Sequence, residues 1–156
     1  WQRNNKGKGM ITFISNWFAL TESYLGNGDL ALERSKNALV CADESDTQIY
    51  EAFAYGGDSI RERFNPYFLT GCSSLSLVAP SMMLQSYSGT LYFFPAVPST
   101  WSNIAFYDLP AEGGYKVSGV YKSKNDFTVC IKKNGKVVKQ FSNTHQCTVR
   151  SLEGGE

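Results

Sequence analysis

Glu51 stands in the stretch Tyr50-Glu51-Ala52-Phe53, and a carboxyl held against aromatic rings and out of water titrates above its ordinary range, as acid–base chemistry requires. Asp58, directly after Gly56-Gly57, is a second carboxylate in the same region. The plainer alternatives are a solvated or salt-bridged Glu51, with Arg61 and Arg63 paired to Glu62 or Asp58 across a loop. Trp17, Tyr50, Tyr55 and Tyr67 belong to an aromatic set of 10 Phe, 9 Tyr and 3 Trp in 156 residues. Such rings fill cores, and their flat faces also stack on pyranose rings. Cys41, Cys72, Cys130 and Cys147 lie far apart and His145 is the single histidine, so neither a metal site nor a cofactor is expected. Cys130 and Cys147 are close enough to pair if their strands are neighbours; four buried free thiols are the alternative.

The balance of charge narrows the partners. With 15 basic and 14 acidic residues the net charge is +1, which gives no footprint for nucleic acid. Arg3, Lys6 and Lys8 read as a solvated tail. No apolar run reaches the roughly 18–20 residues of a membrane span. The sequence begins at Trp1 with no apolar leader, so it reads as part of a longer polypeptide.

The elements that must position these groups change character once along the chain. Met10, Phe13, Ile14, Trp17, Phe18, Leu20, Tyr24 and Leu25 recur at helical spacing, which predicts a helix over 10–25 with a wide, mostly buried apolar face. Gly26-Asn27-Gly28 ends it and Asp29 is placed to cap a second helix over about 30–42. Residues 43–69 show no sustained period and read as a long loop. Residues 71–86 read as a third helix, interrupted at Pro80, where an interior proline costs about 3 kcal/mol. After Ser86 a period of two takes over. Strands are expected over 90–94, 103–107, 115–122, 126–133, 136–141 and 147–150, with Asn134-Gly135 as a type I′ hairpin turn.

Between the two textures lies Met82-Met83-Leu84-Gln85-Ser86, then Gly89, then Phe94-Pro95-Ala96-Val97-Pro98 with Trp101, and then Leu109 and Glu112-Gly113-Gly114-Tyr115-Lys116-Val117. This series resembles the C-terminal signature of glycoside hydrolase family 95 and its relatives. The likeness is specific over 82–117 and diffuse over the rest of 10–150. It implies an α+β chain in which residues 1–87 are the last helices of an (α/α)6 catalytic barrel and residues 88–156 an antiparallel β-sandwich cap. The implied setting is the C-terminal part of a secreted or periplasmic carbohydrate-active enzyme. Its substrate would be a carbohydrate with a terminal glycosidic bond, an α-linked fucose or galactose if the family's substrates carry over, and its partner the rest of the parent polypeptide.

The resemblance also puts the chemistry in question. The family's general base is an Asp before a Gly, and that place is held here by Thr70-Gly71. A threonine hydroxyl does not ionise near neutral pH, and inverting hydrolysis needs two carboxyl groups. The family's acid lies upstream of this segment. Three openings follow: Glu51 or Asp58 replaces the base; a phosphorylase-type relative binds inorganic phosphate at Thr70, Gly71, Ser73 and Ser74; or the chain is a non-catalytic carbohydrate-binding or structural module, with Trp17, Tyr50, Tyr55 and Tyr67 as stacking residues.

Overall fold

The computed structural model describes residues 11–42, 49–56 and 59–153, with the backbone alone at 53–56 and 59–61. Helix α1 (Thr12–Tyr24) and helix α2 (Gly28–Leu39) form an antiparallel pair. Gly26, at φ 79°, turns the chain between them, a conformation that costs glycine nothing. A hairpin follows, β1 (Ala52–Gly56) with β2 (Ser59–Phe64), and then helix α3 (Leu69–Met83). Helix α1 lies in the middle of the layer and packs on both others.

From Met83 the backbone passes directly into strand β3 (Leu84–Tyr87), which pairs with β4 (Thr90–Phe93). Next come β5 (Ile104–Ala111), a single 3-10 turn (Glu112–Gly114), β6 (Tyr115–Ser123), β7 (Asp126–Lys133) and β8 (Lys136–Ser142). Strand β9 (Gln146–Thr148) and the short helix α4 (Arg150–Glu153) are the last elements among the described residues. The sheets run β3-β4-β9 and β5-β6-β7-β8, with every pairing antiparallel. Leu84, Leu91 and Phe93 from the first sheet share one buried cluster with Phe106, Val117, Phe127, Val129 and Ile131 from the second. Along β7, Phe127, Val129 and Ile131 are buried while Asp126 and Thr128 are exposed, the alternation that a half-buried strand dictates. Asn134 and Gly135 both take positive φ, 51° and 77°, as the tight turn between β7 and β8 requires.

Two expectations need correction. The chain forms a small α+β domain of helices and antiparallel sheets, and not the last helices of an (α/α)6 barrel. Among the described residues only three helices exceed a single turn or so, and the third runs straight into a sheet. The likeness over 82–117 is a likeness of local helix-to-strand grammar, and local grammar does not set the number or arrangement of helices elsewhere. Second, the segment read as a loop over 43–69 contains the β1–β2 hairpin. Glu62, flanked by Arg61 and Arg63, hides the period of two in its second strand. Cys130 and Cys147 sit in different sheets, and none of the four cysteines forms a disulfide.

The Pro-Ala-Val-Pro stretch joins the layers. Phe94, forced to φ 53°, is buried against Phe106, Tyr121 and Phe127, with ring centroids at 5.4, 5.1 and 5.3 Å. The amides of Phe94 and Ala96 donate to the carbonyls of Met83 and Met82 at 2.7 and 3.1 Å. Ala96 then enters the helical cluster of Ala19, Ala31, Val78 and Met82, with Trp101 against its edge. A Cβ on Gly28 would lie 2.7 Å from the carbonyl carbons of both Ala96 and Val97, so only glycine lets α2 approach this stretch so closely.

Candidate functional site

The helical layer carries the most unusual chemistry. Helix α1 buries Thr12, Ser15, Asn16, Ala19 and Ser23, a stripe of small and polar residues at helical spacing. Its opposite face exposes Ile14, Trp17, Phe18, Tyr24 and Leu25, with Trp17 at 62% and Leu25 at 69%. The expected mostly buried apolar face is therefore turned outward. The reason lies in the neighbouring helix. Asn16 Nδ2 donates to the Gly71 carbonyl at 3.0 Å and to Ser74 Oγ at 2.9 Å. The Ser23 and Ser81 hydroxyls share a bond of 2.7 Å, and Gln85 Nε2 donates to the carbonyls of Ser23 and Ser81 at 2.8 and 3.0 Å. Ser15 Oγ donates to the Arg34 carbonyl at 2.9 Å. Small side chains let the helices approach, and each buried polar group then needs a partner across the gap.

Helix α3 repeats the pattern. Gly71, Ser74 and Ser81 are buried beside Val78 and Met82, while Leu69 and Leu77 are exposed. Its 15 residues include no charged side chain. A helix that meets solvent normally carries charge on its outer face. Helix α2 does so, with Asp29, Glu33, Arg34 and Lys36.

The residues singled out for chemistry disperse. Thr70 is exposed in the first turn of α3. Ser74, a proposed anion ligand, is spent on Gly71 and Asn16. Glu51 is half-buried and accepts a hydrogen bond from Asn65 Nδ2. Its backbone and that of Tyr50 brace α1: the Glu51 carbonyl accepts from the Thr12 amide at 2.9 Å, and the Tyr50 carbonyl from Thr12 Oγ1 at 2.7 Å. Asp58 and the Tyr55 side chain lie outside the described residues. Tyr67 is 78% exposed in the turn before α3, and Trp17 stands beside Phe13 at 5.2 Å on the outer face of α1. Burial pushes the Cys41 thiol up, with the Thr12 hydrogen bond and the Arg63 guanidinium opposing it, and burial also raises Cys147.

Sequence reasoning missed a second region, where the α1–α2 turn meets the sheets. Tyr87 and Tyr92 stack at 5.0 Å, and Tyr24 leans on Tyr87 at 5.7 Å. The neighbouring Tyr92 phenol raises the Tyr87 phenol above its ordinary value. Tyr92 borders a depression of about 400 Å³ that also takes in Tyr121, Lys124 and Gln146. Beyond it lies another of about 480 Å³, lined by Asn27, Asp29, Ser99 and Trp101 and sharing Gly26, Val97, Tyr121 and Lys124 with the first. Asp29 does not cap α2; its Oδ1 accepts from the Ser99 amide and hydroxyl at 2.7 and 3.0 Å. The signal for Tyr92 was present in the sequence, since it alternates with Leu91 and Phe93 and must face away from their core. No protein-family model matches the chain, and no curated protein matches it.

Proposed function

We propose that this chain is a non-catalytic structural module of a glycoside hydrolase-like, carbohydrate-active protein, seated through its helical layer on another part of the parent polypeptide. The observation that carries the docking role is the inversion of α1, which buries Asn16 and Ser23 and exposes Trp17, Phe18 and Leu25. An uncharged helix such as α3 gains nothing from solvent, whereas covering Leu69 and Leu77 releases their hydration at about 25 cal/mol per Å². The carbohydrate setting rests on the resemblance over 82–117, and terminal α-linked fucose or galactose is the substrate class it implies for the parent. The non-catalytic role is favoured by the carboxylates. Of the two depressions described, one holds a carboxylate, Asp29, and that group is already bonded to Ser99. A single engaged carboxylate does not make the acid and base of an inverting pair.

Light scattering on the isolated 156 residues tests the docking role. Self-association is expected, and replacing Trp17, Phe18 and Leu77 with Glu, Lys and Gln should yield a monomer. In the native polypeptide the Trp17 indole should be shielded from a soluble fluorescence quencher. A wild-type chain that is monodisperse and unfolds cooperatively, with its layer uncovered, would sink the docking role.

A further inference from the structure

We infer that the groove between the α1–α2 turn and the sheets, running from Tyr92 past Tyr121 to Trp101, binds a short chain of neutral sugars. The inference takes its ligand class from the carbohydrate reading above and deepens it by supplying a site that none of the sequence candidates occupies. Three features of the groove argue for that ligand.

Its aromatic groups are spaced along a path. Tyr92, Tyr121 and Trp101 border two depressions that meet at Tyr121 and Lys124. Each depression, at about 400 and 480 Å³, lies within the range of roughly 300–1,000 Å³ typical of small-molecule sites. The rings are held in place from behind. Tyr92 stacks on Tyr87 at 5.0 Å, and Tyr121 packs on Phe94 and Phe127 at 5.1 and 6.3 Å. Trp101 leans on the helical cluster around Ala96. A preordered ring costs little further entropy when a ligand settles on it.

The polar groups between the rings suit hydroxyls. Lys124 and Gln146 are exposed on the groove wall, and Asn27 stands at the other end. Asn27 Nδ2 donates to Glu22 at 2.8 Å, which fixes the amide's orientation. Donors and acceptors beside flat apolar faces match the equatorial hydroxyls and axial C–H faces of pyranose rings. Charge argues against the other stacking ligand, a nucleic acid strand. Lys124 is the one Lys or Arg on either wall, against the several phosphate contacts such a strand needs.

Isothermal titration of the native polypeptide with neutral gluco-, manno-, galacto- and xylo-oligosaccharides tests the inference. One of these series should bind saturably, and Tyr121→Ala should weaken it about tenfold, as loss of one stacking face predicts. Because Tyr121 also contributes to packing, Lys124→Ala and Gln146→Ala serve as variants of exposed residues; each should weaken binding a few-fold with an unchanged melting curve. Trp17→Ala should leave binding intact. Binding that survives all three groove variants, or that is lost with Trp17→Ala, overturns the groove while leaving a carbohydrate role elsewhere. No saturable binding by any series, or stronger binding of a single-stranded oligonucleotide, also overturns it, and the self-association test above then decides separately whether the docking role stands.

Discussion

Phe127 and Trp17 are both large aromatic residues in regular elements. Phe127 is sealed between two sheets, whereas Trp17 stands in solvent on a helix whose other face buries Asn16. The sheets put Phe106, Val117, Phe127 and Ile131 inside and leave Lys136, Lys139 and Gln140 outside. The helices put serines, an asparagine and alanines inside and leave leucines and aromatics outside. A buried hydrogen bond contributes about 1 kcal/mol net, while full burial of a large apolar side chain contributes about 2–3 kcal/mol. The sheets therefore have a core that sustains them. The helices have a smaller apolar cluster around Val78 and Met82, close approach and a polar seam until something covers the other side.

The sharpest way to break that contrast is to truncate each region in turn. Phe127→Ala should cost about 4 kcal/mol in urea unfolding, because the residue is enclosed by Phe94, Tyr121 and its own sheet. Gly28→Ala comes next, at about 3 kcal/mol, since the new Cβ meets backbone of Ala96 and Val97 that cannot rotate away. A neutral result there would mean that the helical layer is not seated on the Pro95–Pro98 stretch. Asn16→Ala should cost about 2 kcal/mol through its two lost hydrogen bonds. A stabilising outcome would show the polar seam to be a burden, which its unpartnered Oδ1 makes worth testing.

Smaller effects sharpen the same comparison. The folded Cys41 thiol titrates above its ordinary value of 9.0, so folding favours the protonated form. Its contribution is whole below the unfolded pKa and is lost as pH rises through the folded one. Urea midpoints should fall as pH rises past about 9, and less steeply in Cys41→Ala, which removes that titration. Smallest of all, Trp17→Glu should change stability by no more than about 0.5 kcal/mol while abolishing self-association. A large loss of stability would show that Trp17 already has a structural partner within the chain.

The sheets were far more legible in the sequence than the helices' inner face. Asp126–Lys133 announces its strand by strict alternation, and Asn134-Gly135 fixes the hairpin after it, because both signals arise within a few residues. The spacing of Ile14, Trp17 and Phe18 correctly marks a helix, but assigning apolar residues to the interior rests on an assumption that one interior exists. The buried partners of Asn16, at Gly71 and Ser74, lie more than fifty residues away, and nothing local in the sequence pairs them. The candidate site fared similarly. Glu51 and Tyr50 stood out by residue type, yet their backbones brace Thr12. Tyr121 and Lys124 drew no notice because a groove is made by elements that meet only in three dimensions.

Strand β4 pairs on one side with β3, a few residues before it, and on the other with β9, where Leu91 faces Cys147. The Phe93 amide waits for the His145 carbonyl, at 2.7 Å, and the Gly89 carbonyl for the Val149 amide, at 2.8 Å. During synthesis the centre of this sheet therefore emerges from the ribosome long before its last neighbour. Until residue 148 is free of the exit tunnel, β4 presents an open edge to any other extended segment nearby. Closing a loop that long is slow compared with forming the β7–β8 hairpin. Strand β9 thus acts as a latch on this sheet, and a ribosome stalled just short of it would hold β4 in its most adhesive state.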